Sequence, residues 1–206
     1  MYIPRSFAVD EAETLYQFMR ANNFATLVTH QDGRLNATPL PFMVDSERGV
    51  LWAHMARANK QWKEFDVHSQ ALVIFQGPHA YISPTWYHTH PSIPTWNYTT
   101  VHIYGTPHLL DDDLTMRQML EALVINHEQN RDPEWQMALP EDYLQQMMQS
   151  IVAFEIPIER IEGKFKLSQN RSEADQDSVI THLAASASPL DRETSRAMAD
   201  RRAQAK

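Results

Sequence analysis

Apolar and polar positions change period several times along the chain, and each change marks an element. Leu15, Phe18 and Met19 recur at helical spacing behind Asp10-Glu11-Ala12-Glu13, a capping-box arrangement, and predict a first helix that stops at Asn22-Asn23. Phe24 to His30 is β-branched and aromatic-rich, Asp32-Gly33 is a hairpin turn signal, and Leu35 to Val44 resumes an extended pattern. Pro39 and Pro41 demote part of that second run to an edge or bulged strand. Ser46-Glu47-Arg48-Gly49 predicts a turn, Val50 to His54 a third strand, and Asn59 the cap of a short helix through Phe65. Ala71 to Phe75 is a buried-strand run that Gly77-Pro78 should break, with His79 to Ser83 as the next strand and Pro84 to Pro94 as a loop. Thr99 to Tyr104 alternates again and stops at Gly105. Asp111 or Asp112 can cap a helix across Leu114 to Asn130, and a second helix follows Pro140 with Tyr143, Leu144, Met147 and Met148 as its apolar face. Ile151 to Ile158 is a strand, and Gly163 begins another. Hairpin-connected strands with helices inserted between them predict an α+β chain with an antiparallel barrel or sandwich. Residues 1–185 form one domain on this reading. Residues 186–206, rich in Ala, Ser, Arg and Asp, form a flexible or marginally helical tail.

Composition then removes several chemistries. The 206 residues hold 18 Lys and Arg against 26 Asp and Glu, a net charge of −8 that opposes a broad polyanion-binding surface. Cysteine is absent, so disulfides, thiolate zinc sites and thiol nucleophiles are excluded. Five glycines occur, none close enough for a Gly-x-Gly turn, so a bound phosphate must be gripped by cationic and polar side chains instead of a backbone cradle. No run of 18 apolar residues occurs, which predicts a soluble, cytoplasmic protein without membrane contact.

Among candidate sites, His88-Thr89-His90 has ligand-like spacing but needs a third, distant ligand such as His79; a polar loop at a pocket rim is the preferred reading, and no metal is expected. The Gly-x-Ser-x-Gly elbow of a serine hydrolase is missing, leaving Ser83 and Ser168 to capping or hydrogen bonding. The segment His54-Met55-Ala56-Arg57-Ala58-Asn59-Lys60-Gln61-Trp62 is more informative. It follows a strand and opens a short helix, so Arg57, Asn59 and Lys60 can converge on an anion; a solvated, capped loop is the plain alternative. In Lys164-Phe165-Lys166-Leu167-Ser168-Gln169-Asn170 an extended chain would place Lys164, Lys166 and Ser168 on one face, either toward a ligand or as an edge strand guarded by lysines. The aromatics and amides of Phe75 to Pro84 and of Pro94-Thr95-Trp96-Asn97-Tyr98 can wall a flat ligand or simply pack a core.

These blocks, with the opening Met1-Tyr2-Ile3-Pro4, resemble the PaiB-like, FMN-binding negative transcriptional regulators in order and spacing from residue 1 to about 183. The resemblance implies an antiparallel FMN-binding split β-barrel with inserted and flanking helices, and a homodimer with FMN at the subunit interface. It implies Thr38, Pro39 and Leu40 along the isoalloxazine, His54, Arg57, Asn59 and Lys60 toward the ribityl phosphate, and Met55 among the cofactor-binding residues. Gln76 would approach from the following strand, and Lys164, Lys166, Ser168 and Gln169 would complete the pocket from the partner subunit. The wider fold often carries a second Arg or Lys where Asn59 stands. The implied function is negative control of genes for extracellular protease and sporulation, through DNA or a regulatory protein partner, although the chain is acidic and shows no helix-turn-helix. A small FMN-dependent oxidoreductase, passing electrons from a nicotinamide cofactor or a substrate, is the alternative.

Overall fold

The computed structural model describes residues 1–65, 69–129 and 131–204. In chain order the elements are β1 (Ala8–Val9), α1 (Ala12–Ala21), β2 (Phe24–Gln31), β3 (Arg34–Pro41), β4 (Met43–Asp45), β5 (Val50–Ala56), β6 (Ala71–Ile82), β7 (Thr95–Gly105), β8 (His108–Leu109), α2 (Asp113–Glu128), α3 (Glu141–Gln149), β9 (Ile151–Pro157), β10 (Arg160–Lys166), α4 (Glu173–Ala184) and α5 (Pro189–Gln204), with short 3-10 helices at Arg5–Phe7, Lys60–Glu64 and Pro84–Trp86. The chain divides into two compact units: residues 1–18, 75–102 and 162–206, and residues 19–74 and 103–161.

In the first unit β1, β10, β7 and the distal part of β6 lie side by side in that order. β1 is antiparallel to β10, with Val9 opposite Gly163. Gly163 is needed for close approach: a Cβ there would fall 2.3 Å from Leu15 and 2.8 Å from the Val9 carbonyl. The core is Ala80, Ile82, Tyr87 and Leu167 packed against Val179, Leu183 and Met198 of α4 and α5. The expected tail is therefore a packed helix over its described residues. Thr194, Ser195 and Met198 are buried on α4, Arg202 pairs with Glu173 and Asp177, and Ser195 donates to the Ile180 carbonyl. Small residues let the two helices approach closely, so a sequence poor in large apolar side chains still buries one face.

The Gly77-Pro78 break also fails to appear, because β6 runs through it. Burial alternates on odd residues from Ala71 to Gly77 and on even residues from Ala80 to Ile82, so the pair shifts the strand by one residue without ending it. Gly77 lies so close to Thr99 and Phe18 that a Cβ would sit 2.4 Å from the Thr99 hydroxyl. β7 begins at Thr95, four residues before the expected start.

In the second unit β2 and β3 form a hairpin from Phe24↔Pro41 to Gln31↔Arg34, turned by Asp32 and Gly33 at φ 51° and 76°. These left-handed values are those of the type I′ turn that Asp-Gly predicts. β2 pairs with the first residues of β6, while β3 is a sheet edge, as its prolines foretold. A second sheet has the order β4-β5-β9-β8, with β5 and β9 registered over seven pairs from Val50↔Pro157 to Ala56↔Ile151. α2 and α3 cover one face of it through Met116, Met119, Leu123, Leu144 and Met148, packed with Ala153 of β9. Asp112 caps α2, and the expected helix extends through Glu128, Asn130 lying outside the described residues. On α3 only Leu144 and Met148 of the predicted face are buried; Tyr143 and Met147 face solvent. Among the described residues no helix is long and apolar enough to cross a membrane.

Candidate cofactor site

Everything distinctive about the second unit's polar chemistry gathers where the 3-10 helix Lys60–Glu64 meets the β2–β3 hairpin. Asn59 starts that helix: its Oδ1 accepts from Gln61 N at 3.0 Å while its Nδ2 donates to Thr38 Oγ1 at 3.0 Å. One asparagine thus caps the helix and ties it to β3. Gln61 is completely buried, and its Nε2 donates toward the Leu27 and Asn36 carbonyls and Thr29 Oγ1. Glu64 accepts from Thr29 Oγ1 and, at 3.1 Å, from Asn36 Nδ2, which turns its carboxylate into the hairpin. Sequence reading assigned no role to Thr29, Asn36, Gln61 and Glu64; for Thr29 and Asn36 the signal was polarity at positions where strand alternation demands an inward side chain, and Gln61 and Glu64, on the 3-10 helix, gave none.

Around this network the cations divide their labour. Lys60 is exposed and has no hydrogen bond or ion pair among the described residues. Arg57 is also exposed, but its Nε and Nη2 donate at 2.7 Å to the carbonyls of Gln149 and Ile151, where α3 ends and β9 begins. A guanidinium at a helix C-terminus satisfies carbonyls that have no partner within the helix. Trp62 Nε1 donates to the Arg57 carbonyl at 3.1 Å, fixing the connecting turn.

The strand residues fall on two sides. Thr38 and Leu40 share the inward side of β3 with their partners Leu27 and Ala25, and Pro39 is exposed on the other side with Ala37. On β5, Met55 is buried on one side, while His54 shares the opposite side with Trp52, beneath the α2–α3 methionine cluster. Burial lowers the His54 pKa, and its Nδ1 has no partner among the described residues.

In the first unit Gln76 is exposed on β6. The other predicted residues there are committed to their own chain. Lys164 is 8% exposed and donates to the Tyr2 carbonyl at 3.0 Å between the rings of Tyr2 and Tyr98. Lys166 donates to Thr95 Oγ1 and the Trp96 carbonyl; burial, then Lys164 and Arg171, lower its pKa. β10 ends at Lys166 and Ser168 takes φ 66°, so the expected single face of Lys164, Lys166 and Ser168 is not formed. Ser168 instead exchanges hydrogen bonds with Asn97, and Gln169 folds back on its own turn, donating to the Phe165 carbonyl and accepting from Leu167 N. Asp175 holds the proline-bounded loop by accepting from the backbones of His88 and Thr89. Burial alone would raise its pKa, but hydrogen bonds from Thr89, His88 and Ser172 bring it down to about 2. Among the described residues no group of three His, Asp or Glu side chains can hold a metal ion.

The donor set of the second unit is suited to a phosphate-bearing planar cofactor: the exposed Lys60 ammonium, unpartnered among the described residues, the Arg57 guanidinium, two neutral donors, and an edge strand with exposed Pro39 and Ala37 beside them. Residues 1–160 match the family model described as "Putative FMN-binding domain". The chain belongs to this FMN-binding family. The match extends beyond that region: the chain is 38% identical over 205 residues, 98% of each sequence, to "Protease synthase and sporulation protein PAI 2" of Bacillus subtilis. The fold is shared with the FAD- and heme-binding protein of Mycobacterium smegmatis, at 16% identity and TM-score 0.63 over 83% of this chain and 78% of that one. It is also shared with the flavocytochrome Anf3 of Azotobacter vinelandii, at 14% identity and TM-score 0.62 over 85% and 78%. The PaiB-like FMN-binding family therefore supplies both fold, an α+β antiparallel flavin-binding split barrel, and cofactor, FMN.

Proposed function

We propose that the protein is a negative transcriptional regulator that works as an FMN-loaded homodimer in the cytoplasm. The observation that carries this reading is the 38% identity to the sporulation protein along essentially the whole of both chains, α2, α3 and the C-terminal helices included. FMN supplies one- and two-electron redox chemistry when bound. The chain's own contribution is to hold it. Lys60 takes the phosphate charge, Asn59 and Thr38 set the helix start against β3, Arg57 keeps the turn in place, and Pro39 offers an apolar contact beside them.

The outer side of the β2–β3 hairpin supports the dimer. Phe24 and Leu35 are 69% and 76% exposed there, on the same side as Val28, Ala37, Pro39 and Pro41. A second copy covering that apolar side would remove it from water and enclose the flavin next to it. From the partner, Lys166 and Ser168 would then act by holding the Thr95-Trp96-Asn97 segment in shape, while Lys164 would act through Tyr2 and Gln169 through the turn that ends β10. Reporter and gel-shift assays with the FMN-loaded and FMN-free protein test the regulatory role; repression that depends on flavin is expected, and indifference of the reporter to both protein and flavin overturns it. Sedimentation of F24E/L35E tests the dimer, which should fall apart and lose FMN.

One feature favours a second reading. Trp96 stacks its edge near Tyr81 at 5.9 Å and lies 6.2 Å from His79, leaving Tyr81 and Trp96 about half exposed, a surface suited to a planar substrate of a small oxidoreductase. Bleaching of bound FMN by NADH or NADPH faster than that of free FMN would support it.

A further inference from the structure

The α2–α3 region carries charge and apolar surface that the flavin site does not use. Residues 111–149 hold nine Asp and Glu against two Arg, which accounts for seven of the chain's eight net negative charges. Both arginines are already paired, Arg117 with Glu141 and Arg131 with Glu128. The buried face of α2 is Met116, Met119 and Leu123, yet Leu114 and Ile125 lie on its solvent face, 66% and 62% exposed, with Glu121 between them at helical spacing. Beside Ile125 a groove of about 340 Å³ is walled by Val124, Ile125, Trp135 and Met137, with Glu121 and Glu134 at its rim. Its far wall is fastened: Trp135 N donates to Glu128 Oε2 at 3.3 Å, and Arg131 Nε to the His127 carbonyl at 2.9 Å. Trp135 remains 47% exposed.

We propose that this groove docks a basic segment of a partner protein, one that inserts a large apolar side chain and flanks it with lysine or arginine. The apolar walls reward an anchor, and the surrounding charge selects its neighbours. The same charge turns away nucleic acid, anionic lipid and a second copy of this face, each of which would bring like charge against it. The chain's own C-terminal arginine at 202 is occupied by Glu173 and Asp177. The inference stands apart from the flavin reading and gives an acidic chain a means of acting on a basic protein surface.

The test uses the full-length, FMN-loaded protein and three synthetic peptides of equal length: leucine–lysine amphipathic, serine–lysine of the same charge, and leucine–glutamate. Amide NMR shifts locate binding, and FMN absorbance and native mass are recorded in parallel. The leucine–lysine peptide should perturb Val124, Ile125 and Trp135 to Met137, weaken with salt, and bind at least tenfold more weakly to E121K/E134K and to I125S/W135S. Equal binding of the serine–lysine peptide, perturbation elsewhere, or unchanged affinity in E121K/E134K overturns the proposal. So does self-association through this face, seen as concentration-dependent sedimentation that W135S abolishes. Both variants change exposed positions, and unaltered flavin content and mass in them would separate failure here from failure of the flavin reading.

Discussion

Lys60 is exposed and uncommitted among the described residues, whereas Arg57, three residues earlier, spends two donors on the carbonyls of Gln149 and Ile151. Variants of the two should therefore separate. K60E should weaken FMN binding by at least about 30-fold, since a hydrogen bond to a charged group contributes ~2 kcal/mol, and should leave the urea unfolding midpoint unchanged because the side chain is exposed. R57A should lose about 1–2 kcal/mol of stability with the two carbonyl bonds, measured by the same denaturation. The cluster from Arg57 to Lys60 was legible in the sequence as a candidate anion site, but the commitment of Arg57 to α3 was not, because the Gln149 carbonyl lies some ninety residues away in the chain. His54 gives a pH prediction. Its folded pKa is lowered from 6.5 by burial, so below that value the unfolded chain binds a proton that the folded chain refuses. Stability should hold steady above pH 7.5 and fall as pH drops through 6.5 toward 5.5. H54Q should flatten part of that fall in urea titrations, His102 keeping the remainder because its pKa is lowered mainly by burial as well.

At the scale of elements, close approach is what local propensity cannot express. Gly105 ends β7, and a Cβ on it would lie 2.0 Å from the Pro157 carbonyl oxygen and 2.8 Å from Ile156. Backbone cannot yield as a side-chain tip can, so G105A should cost about 2–3 kcal/mol, read from the unfolding midpoint. Gly33, with nothing within 4 Å of its Cβ position, is kept instead by its φ of +76°. The sequence identified Gly33 because Asp-Gly has a local meaning, and it placed the strand's end at Gly105 without access to the Pro157 contact that keeps the glycine there. The capped helices, the hairpin and the edge strand were legible for the same reason: Asn59, Asp112, Asp32-Gly33 and Pro39 act within a few residues of themselves. β6 and α5 were misjudged because what sustains them is tertiary. Gly77 is held against Thr99 and Phe18, and α5 is held by α4. Gln61, the most buried polar residue of the candidate site, was missed because its partners Leu27, Thr29 and Asn36 come from the β2–β3 hairpin, distant in the chain from its own 3-10 helix.

On the scale of the molecule, charge is distributed by task. Outside residues 111–149 the chain is nearly neutral, with a net charge of −1. The acidic helical region faces solvent with its own exposed apolar groove, and its Asp111 and Asp113 share a cavity with Arg57. The scarcity of glycine links composition to the proposed mechanism: with no backbone cradle available, side chains would have to grip the cofactor, and in the proposed dimer a second subunit would complete that grip by covering the exposed hairpin side that bears Phe24 and Leu35. Native mass spectrometry of the purified protein, after incubation with FMN and removal of the excess, tests this most directly. The account predicts two chains carrying two FMN molecules, with neither flavin nor dimer surviving alone; a single chain that retains FMN, or a dimer that takes up none, would contradict it.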